Sequence, residues 1–325
     1  MQILKTYRDV PNALRGAAIA IGNFDGVHRG HQSVLRRTCE IAAERPAPAG
    51  VMVFDPHPRE YFQRDMRLFT LTPLPEKLAL FDALGLDLAV VLTFDAALAG
   101  LSAEEFVRKI LVAGLGVAHV VIGYNFFFGK GRSGDPDTMR RFGREQNFGV
   151  EVIAPAGDDA DPFSSSRIRA LLRKGDVRAA AEQLGHWWRL TGTVVEGAGR
   201  GHGLGFPTAN LSLAHGQELA HGIYAVRVRL GDARFDGAAY LGTRPTFDNG
   251  PATLEVFFFD FDADLYGKDV SLEFIARIRD DQAFDSSADL ERQMSEDCDQ
   301  ARRVLAELAV DDPMTAYPIG ERLAK

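Results

Sequence analysis

The sequence predicts an α/β domain followed by a small all-β domain closed by a helix, and three patterns carry that prediction. From Ala17 to about Pro155, short apolar runs alternate with segments of helical spacing. After Gly185, strand-like runs follow one another with only Gly, Pro, Asn and Asp between them, and from Ser287 a long amphipathic stretch takes over. Alternating strand and helix is the grammar of a doubly wound parallel sheet with helices on both faces, whereas strands joined by turns are that of an antiparallel barrel.

Ala17–Phe24, Val51–Phe54, Leu88–Phe94, His119–Ile122 and Val150–Ile153 are continuous apolar runs, as strands buried on both faces are. Between them, Gln32–Glu44, Pro73–Leu84 and Ser102–Leu115 have helical spacing, and Ser102 with Glu105 forms a capping box. Ser164–Lys174 and Asp176–Leu184 read as two closing helices. The second half supplies strands at Arg189–Glu196, Gly222–Leu230, Ala233–Tyr240, Thr253–Phe261 and Val270–Arg279, then a helix from Ser287 to Ala309 that should pack on the barrel. A boundary near Gly185–Trp188 gives domains of residues 1–185 and 186–325, which suits the length of 325 residues.

Composition narrows the function classes. A formal charge of −8 lacks the Lys and Arg field that holds a nucleic-acid backbone, so no nucleic-acid partner is expected. No apolar run approaches the length of a bilayer span and Met1–Asp9 lacks a signal-peptide core, so the expectation is a cytoplasmic protein with no membrane partner. Cys39 and Cys298 lie far apart, without the clustering of a zinc site or disulfide framework. Association into a homo-oligomer is left open.

Two segments carry phosphate chemistry. Gly22-Asn23-Phe24-Asp25-Gly26-Val27-His28-Arg29-Gly30-His31 begins where a strand ends and a helix starts, the place where unpaired N–H groups and the helix dipole favour an anion. His28 and His31, three apart, share a helix face and can reach one triphosphate; a pair of capping or surface histidines is the plainer reading. Ser164-Ser165-Ser166-Arg167-Ile168-Arg169 is a second hydroxyl-rich helix start with two basic residues. Phe54-Asp55-Pro56-His57-Pro58 and Gly123-Tyr124-Asn125-Phe126-Phe127-Phe128-Gly129-Lys130-Gly131-Arg132 follow strand ends at the expected ligand rim. There Phe126 and Phe128 can pack a planar ring while Asn125 hydrogen-bonds to it, or at least two of the three phenylalanines are core.

The second segment is the glycine-dense run from Gly197 to Gly205, followed by Phe206-Pro207-Thr208-Ala209-Asn210. In an extended chain Thr208 and Asn210 present a hydroxyl and an amide oxygen on one face, a donor pair suited to Mg²⁺ already held by ATP phosphates; otherwise this is a surface hairpin. In Thr253–Phe259, Glu255 is the only charge and shares a face with Phe257 and Phe259. It is either a base toward a substrate hydroxyl or a solvent-facing edge residue. Two phosphate-handling segments in one chain point to two successive ATP-dependent reactions.

The His28–His31 and Ser164–Arg169 elements resemble those of the nucleotidylyltransferase superfamily. With Gly22–His31, Phe54–Pro58 and Gly123–Arg132 in the first half and Gly205–Leu211, Gly222–Val226, Gly242–Phe247, Glu255 and Leu265–Gly267 in the second, nearly the whole chain is similar to the bacterial bifunctional riboflavin kinase/FAD synthetases. The resemblance implies a Rossmann-like N-terminal domain that adenylylates FMN to FAD with release of pyrophosphate, and a C-terminal barrel that phosphorylates riboflavin to FMN with release of ADP. It assigns Gly22, Phe24, Asp25, His28, His31, Ser164, Ser165, Arg167 and Arg169 to ATP in the first domain, with His28 and His31 central to catalysis. Asn125, Phe126, Phe128 and Arg244 become flavin contacts. Gly205, Thr208 and Asn210 become ATP contacts of the kinase, Thr208 and Asn210 also its magnesium ligands, and Glu255 the catalytic base. Ser166 stands where the family usually has Thr, Asp55 where it usually has Glu, and Gly201-His202-Gly203 is an atypical loop.

Overall fold

The computed structural model describes residues 1–63, 68–158, 161–195, 208–212, 217–231, 233–243, 253–261 and 265–324. By contact density it divides into two compact units, Met1–Ser165 and Ser166–Lys325. The helices Ser165–Arg173 and Val177–Leu184, read from sequence as closing the first domain, thus group almost wholly with the second unit. The backbone N–H of Ala220 donates to the Leu172 carbonyl, tying the first of them there.

The first unit is a six-stranded, fully parallel sheet. Its strands are β1 (Gln2–Leu4), β2 (Ala18–Ile21), β3 (Ala49–Asp55), β4 (Leu88–Thr93), β5 (His119–Gly123) and β6 (Gly149–Ile153), in spatial order β1-β4-β3-β2-β5-β6. The apolar runs form the central strands as predicted; Ile19, Val51, Val90 and Val121 are fully buried. Each such side chain contributes about 1.5–3 kcal/mol of burial. β1 is an edge strand of three residues, too short to show any period in the sequence.

The capping box is present: the Glu105 N–H donates to Ser102 Oγ at 3.1 Å and the Ser102 N–H to Glu105 Oε2 at 3.0 Å. The helix then widens to π-type bonding over Phe106–Leu115 and ends at Gly116, whose φ is 61°. A helix over Pro136–Gln146 was not anticipated, because among its eleven residues only Met139, Phe142 and Gly143 are buried. The start signals were there: Asp135 accepts from the Thr138 N–H at 2.8 Å, and Pro136 follows it. A two-residue ribbon, β7 (Gly157–Asp158) with β8 (Asp161–Pro162), precedes the Ser165 helix.

The second unit is a closed antiparallel barrel of β9 (Arg189–Val195), β10 (Thr208–Ser212), β11 (Gly222–Leu230), β12 (Ala233–Gly242), β13 (Thr253–Phe258) and β14 (Asp269–Arg279), in order β10-β13-β12-β11-β14-β9. Leu254, Val256, Tyr224, Val226, Leu272 and Phe274 are buried at alternating positions, as a filled barrel requires. The helix Ser287–Val310 sets Cys298, Ala301, Leu305 and Leu308 against Ala225, Ala238 and Ile275. Its start at Ser287 matches the sequence reading. Cys39 and Cys298 are both free, and burial pushes the Cys298 thiol up to about 11. Among the described residues no helix is long and apolar enough to cross a membrane.

Candidate active sites

In the first sheet β2 lies between β3 and β5, so the strand order reverses at the β2–β5 pair. Connections leaving the carboxyl ends of those two strands diverge and open a crevice, the usual ligand position in such sheets. Gly22–His28 leaves β2 there and Tyr124–Arg132 leaves β5 there. The fold therefore brings the two motifs to one end of one strand pair.

The Gly22–His28 loop is tightly bent. Phe24 (φ 48°), Gly26 (φ 87°) and Val27 (φ 43°) all sit in the left-handed region, which a β-branched residue such as Val27 adopts only under constraint. The constraints are on either side. Gln32 Nε2 donates to the Val27 carbonyl at 2.8 Å, Ser165 Oγ to the Asp25 carbonyl at 2.8 Å, and Lys77 Nζ to the Asn23 carbonyl at 2.9 Å. The buried Asp25 carboxylate accepts from the N–H groups of Leu71 and Thr72 at 3.0 and 3.1 Å. With the carbonyls held this way, the loop leads the chain directly into the helix that begins at Arg29.

His28 is the N-cap of that helix: its Nδ1 accepts from the His31 N–H at 3.3 Å. Nδ1 as acceptor puts the proton of the neutral ring on Nε2. The two imidazoles stack, with centroids 3.6 Å apart. Gly30 makes room, since a Cβ there would lie 3.2 Å from His28 Nδ1. Burial lowers the His28 pKa to about 4, and burial, then the neighbouring charges of His28 and Lys77, holds His31 well below its ordinary value. Both are neutral hydrogen-bonding groups at physiological pH. Phe24 is 3 % exposed and meets His31 edge-on at 5.2 Å, so it backs the pair from the core.

Asn125 is exposed after β5, while the phenylalanines divide among three environments. Phe128 is core, 6 % exposed beside Phe106; Phe126 is half-buried and stacked on it; Phe127 is exposed with the Arg132 guanidinium 4.5 Å from its ring. Phe128 therefore supports the segment from beneath. At the neighbouring strand ends Phe54, Tyr61, Phe62 and Phe94 form an aromatic cluster, with Phe62 67 % exposed. The sequence reading passed over this cluster; its signal was Tyr61-Phe62 shortly after the Phe54–Pro58 motif. Lys77, buried on its helix, was also missed. Ser164 and Ser165 are half-buried, and Arg167 and Arg169 follow within the helix they open, Arg169 being buried.

In the barrel β10 pairs with β13 so that Asn210 lies opposite Glu255, and β12 sets Tyr240 on the other side of Glu255. Thr208 Oγ1 donates to Glu255 Oε2 at 3.4 Å. Thr208, Asn210 and Glu255 thus share the half-buried outer face of adjacent strands, while Leu254 and Val256 point inward. Glu255 shares that face with Phe257; Phe259 lies beyond the strand end, buried in the cluster under the long helix. Tyr240 donates its hydroxyl to Asp281 at 3.2 Å, extending the polar row. Hydroxyl, amide and carboxylate oxygens in a row make a set that suits a nucleotide-bound cation. The expected contacts Gly205 and Arg244, and the glycine run, lie outside the described residues.

A parallel sheet with a tightly bent loop and a stacked histidine pair at its switch point, joined in one chain to a closed barrel carrying a Thr–Asn–Glu face, is the architecture of a two-domain transferase. Comparison with known proteins is specific. Residues 10–167 match the family model described as FAD synthetase, and residues 184–305 match that described as riboflavin kinase. Bifunctional riboflavin kinase/FMN adenylyltransferases are similar along nearly the whole chain. That of Pseudomonas fluorescens is 37 % identical (94 % of this chain, 98 % of the relative), and that of Escherichia coli K12 is 36 % identical (91 % and 96 %). That of Bacillus subtilis is 34 % identical (90 % and 93 %). A crystal structure titled as a macrolide-efflux protein from Streptococcus pneumoniae has a TM-score of 0.80 at 29 % identity, covering 91 % of this chain and 96 % of that one. The chain belongs to the bifunctional riboflavin kinase/FMN adenylyltransferase family.

Proposed function

We propose that this chain makes both flavin cofactors in sequence, phosphorylating riboflavin to FMN on the barrel and adenylylating FMN to FAD on the parallel sheet, each time with ATP. The observation that carries the reading is the stacked His28–His31 pair in one unit and the Thr208–Glu255 hydrogen bond in the other. The functional boundary falls near Gly185, and the enzyme works in the cytoplasm.

In the kinase step the terminal ribityl hydroxyl oxygen attacks the γ-phosphorus of ATP, its proton passes to a Glu255 carboxylate oxygen, and ADP leaves. Thr208 and Asn210, side by side with Glu255 on adjacent strands, would supply oxygens to hold Mg²⁺ entering with ATP. Among the described residues no group of three or more His, Cys, Asp or Glu side chains is placed to hold a metal by itself. When bound, the ion neutralises charge on the transferring phosphates.

In the adenylyl step a phosphate oxygen of FMN attacks the α-phosphorus of the second ATP and pyrophosphate leaves. Neutral His28 presents Nε2–H to the triphosphate, and the helix amino end adds N–H donors, so catalysis is by orientation and charge stabilisation with no covalent enzyme intermediate. Asn125, exposed at the same rim, and the aromatic cluster around Phe94 support a flavin site beside the loop.

The test is a time course of riboflavin with purified protein and Mg·ATP, resolved by chromatography. FMN should appear and then convert to FAD. Unchanged riboflavin, or FMN that never becomes FAD, would overturn the corresponding half of the reading.

A further inference from the structure

Beneath the Gly22–Val27 loop lies a cation that the reaction described above does not use. Lys77 is 7 % exposed, on the inward face of the helix Leu74–Ala83 together with Leu80 and Phe81. An ammonium is costly to bury, and an apolar side chain of similar length would serve that helix packing as well or better. The hydrogen bond Lys77 makes is to the Asn23 carbonyl. The charges facing it come from every surrounding element: Asp25 of the loop, Asp55 at the end of β3, Glu60 of the helix Pro58–Phe62, and His31 of the helix Arg29–Ala43. Asp25 is already engaged by the N–H groups of Leu71 and Thr72. The ammonium is therefore fixed under the bend, next to the histidine pair.

We propose that Lys77 is a positioning residue of the adenylyl-transfer step, pinning the Asn23 carbonyl so that the loop's left-handed turns keep their N–H groups toward the triphosphate. This rests on Gly22–His31 being the triphosphate site. Turning a carbonyl away from an anion is as necessary as presenting an N–H to it, because a peptide that flips replaces a donor by an acceptor. Burial lowers the Lys77 pKa, while Asp25, Asp55 and Glu60 oppose that shift. The group is thus poised to lose its charge at alkaline pH before an exposed lysine would.

The experiment compares Lys77→Met and Lys77→Arg in the full chain, measuring FMN-to-FAD kinetics at varied ATP and pH, with riboflavin phosphorylation by the same preparation as a control on the second unit. Lys77→Met should lower kcat/KM for ATP in adenylylation about tenfold or more, mainly through KM, as expected for loss of a charge-assisted hydrogen bond. Kinase activity should be unchanged. Lys77→Arg should recover most of the loss and move the alkaline limb of the adenylylation pH profile upward, because guanidinium keeps its charge. Unaltered ATP kinetics in Lys77→Met would overturn the proposal. So would an unmoved alkaline limb in Lys77→Arg, a result that stands even where the methionine variant fails to fold. Loss of FAD synthesis in His28→Ala/His31→Ala with a silent Lys77→Met overturns the lysine's role alone; if both are silent, the triphosphate site itself is misplaced.

Discussion

The His31 backbone N–H donates to His28 Nδ1 at 3.3 Å while the two rings stack 3.6 Å apart, so one histidine caps the helix that the other rides on. A single contact thereby sets the tautomer of His28, the start of the helix and the spacing of the pair. Replacing both residues with alanine should stop the pathway at FMN: riboflavin phosphorylation continues, and FAD formation falls by a factor of about a hundred or more, as loss of aimed donors does. Chromatographic assay of both steps on one preparation checks it, and normal FAD synthesis would exclude the histidines.

The same burial predicts a pH dependence of stability. The folded-state pKa of His28 lies near 4 and that of His31 is also depressed, against an ordinary value of 6.5. Between 6.5 and the folded-state value the unfolded chain binds more protons, so stability rises with pH there; it is undiminished above about 6.5 and, for His28, is lost as pH falls toward 4 at about 1.4 kcal/mol per pH unit, with His31 acting in the same direction. Thermal melts between pH 7 and 5 should show the first unit losing stability, and His28→Asn, which can still cap the helix, should flatten the slope.

Glu255→Gln should remove the proton acceptor while preserving the shape of the strand row. Riboflavin phosphorylation should fall by about two orders of magnitude or more, and FMN-to-FAD conversion should persist. If both rates fell together in a folded variant, the assignment of separate sites would be wrong.

Glu273 has a structural role. Its carboxylate is 1 % exposed and accepts from Arg189 and Arg227, with Arg229 at 3.7 Å. Burial pushes its pKa up, but the guanidinium groups outweigh this and hold it below the ordinary value. Glu273→Gln leaves arginines crowded without their counter-charge, and denaturant melts should show a loss of about 3–5 kcal/mol in the second unit. Because the folded-state pKa is depressed, the stability this carboxylate contributes is lost as pH falls below its unfolded value.

Much of this architecture is legible in local sequence. The Ser102–Glu105 capping box, the limits of β11 and the start of the Ser287 helix follow from rules that act over a few residues. What stayed hidden depends on distance along the chain or on defiance of a rule. Asp25 is defined by N–H groups 46 and 47 residues away. Lys77 reads as a surface lysine because its residue type is almost never buried. The grouping of the Ser165–Arg173 helix depends on tertiary contacts, such as that with Ala220, which no periodicity encodes. The histidine pair was legible as a spacing; its stacking and tautomer were not.

The outermost strands of the parallel sheet bear on how the protein tolerates crowding. β1 offers only three residues of exposed backbone, and β6 carries Glu151 at its centre, ion-paired to Arg37 at 2.8 Å. A passing chain seeking to extend the sheet meets too short a template on one border and a charge on the other. The barrel has no border to extend, because β9 and β10 close it. A fusion that prolongs β1 would be the first change to offer a longer template for such pairing.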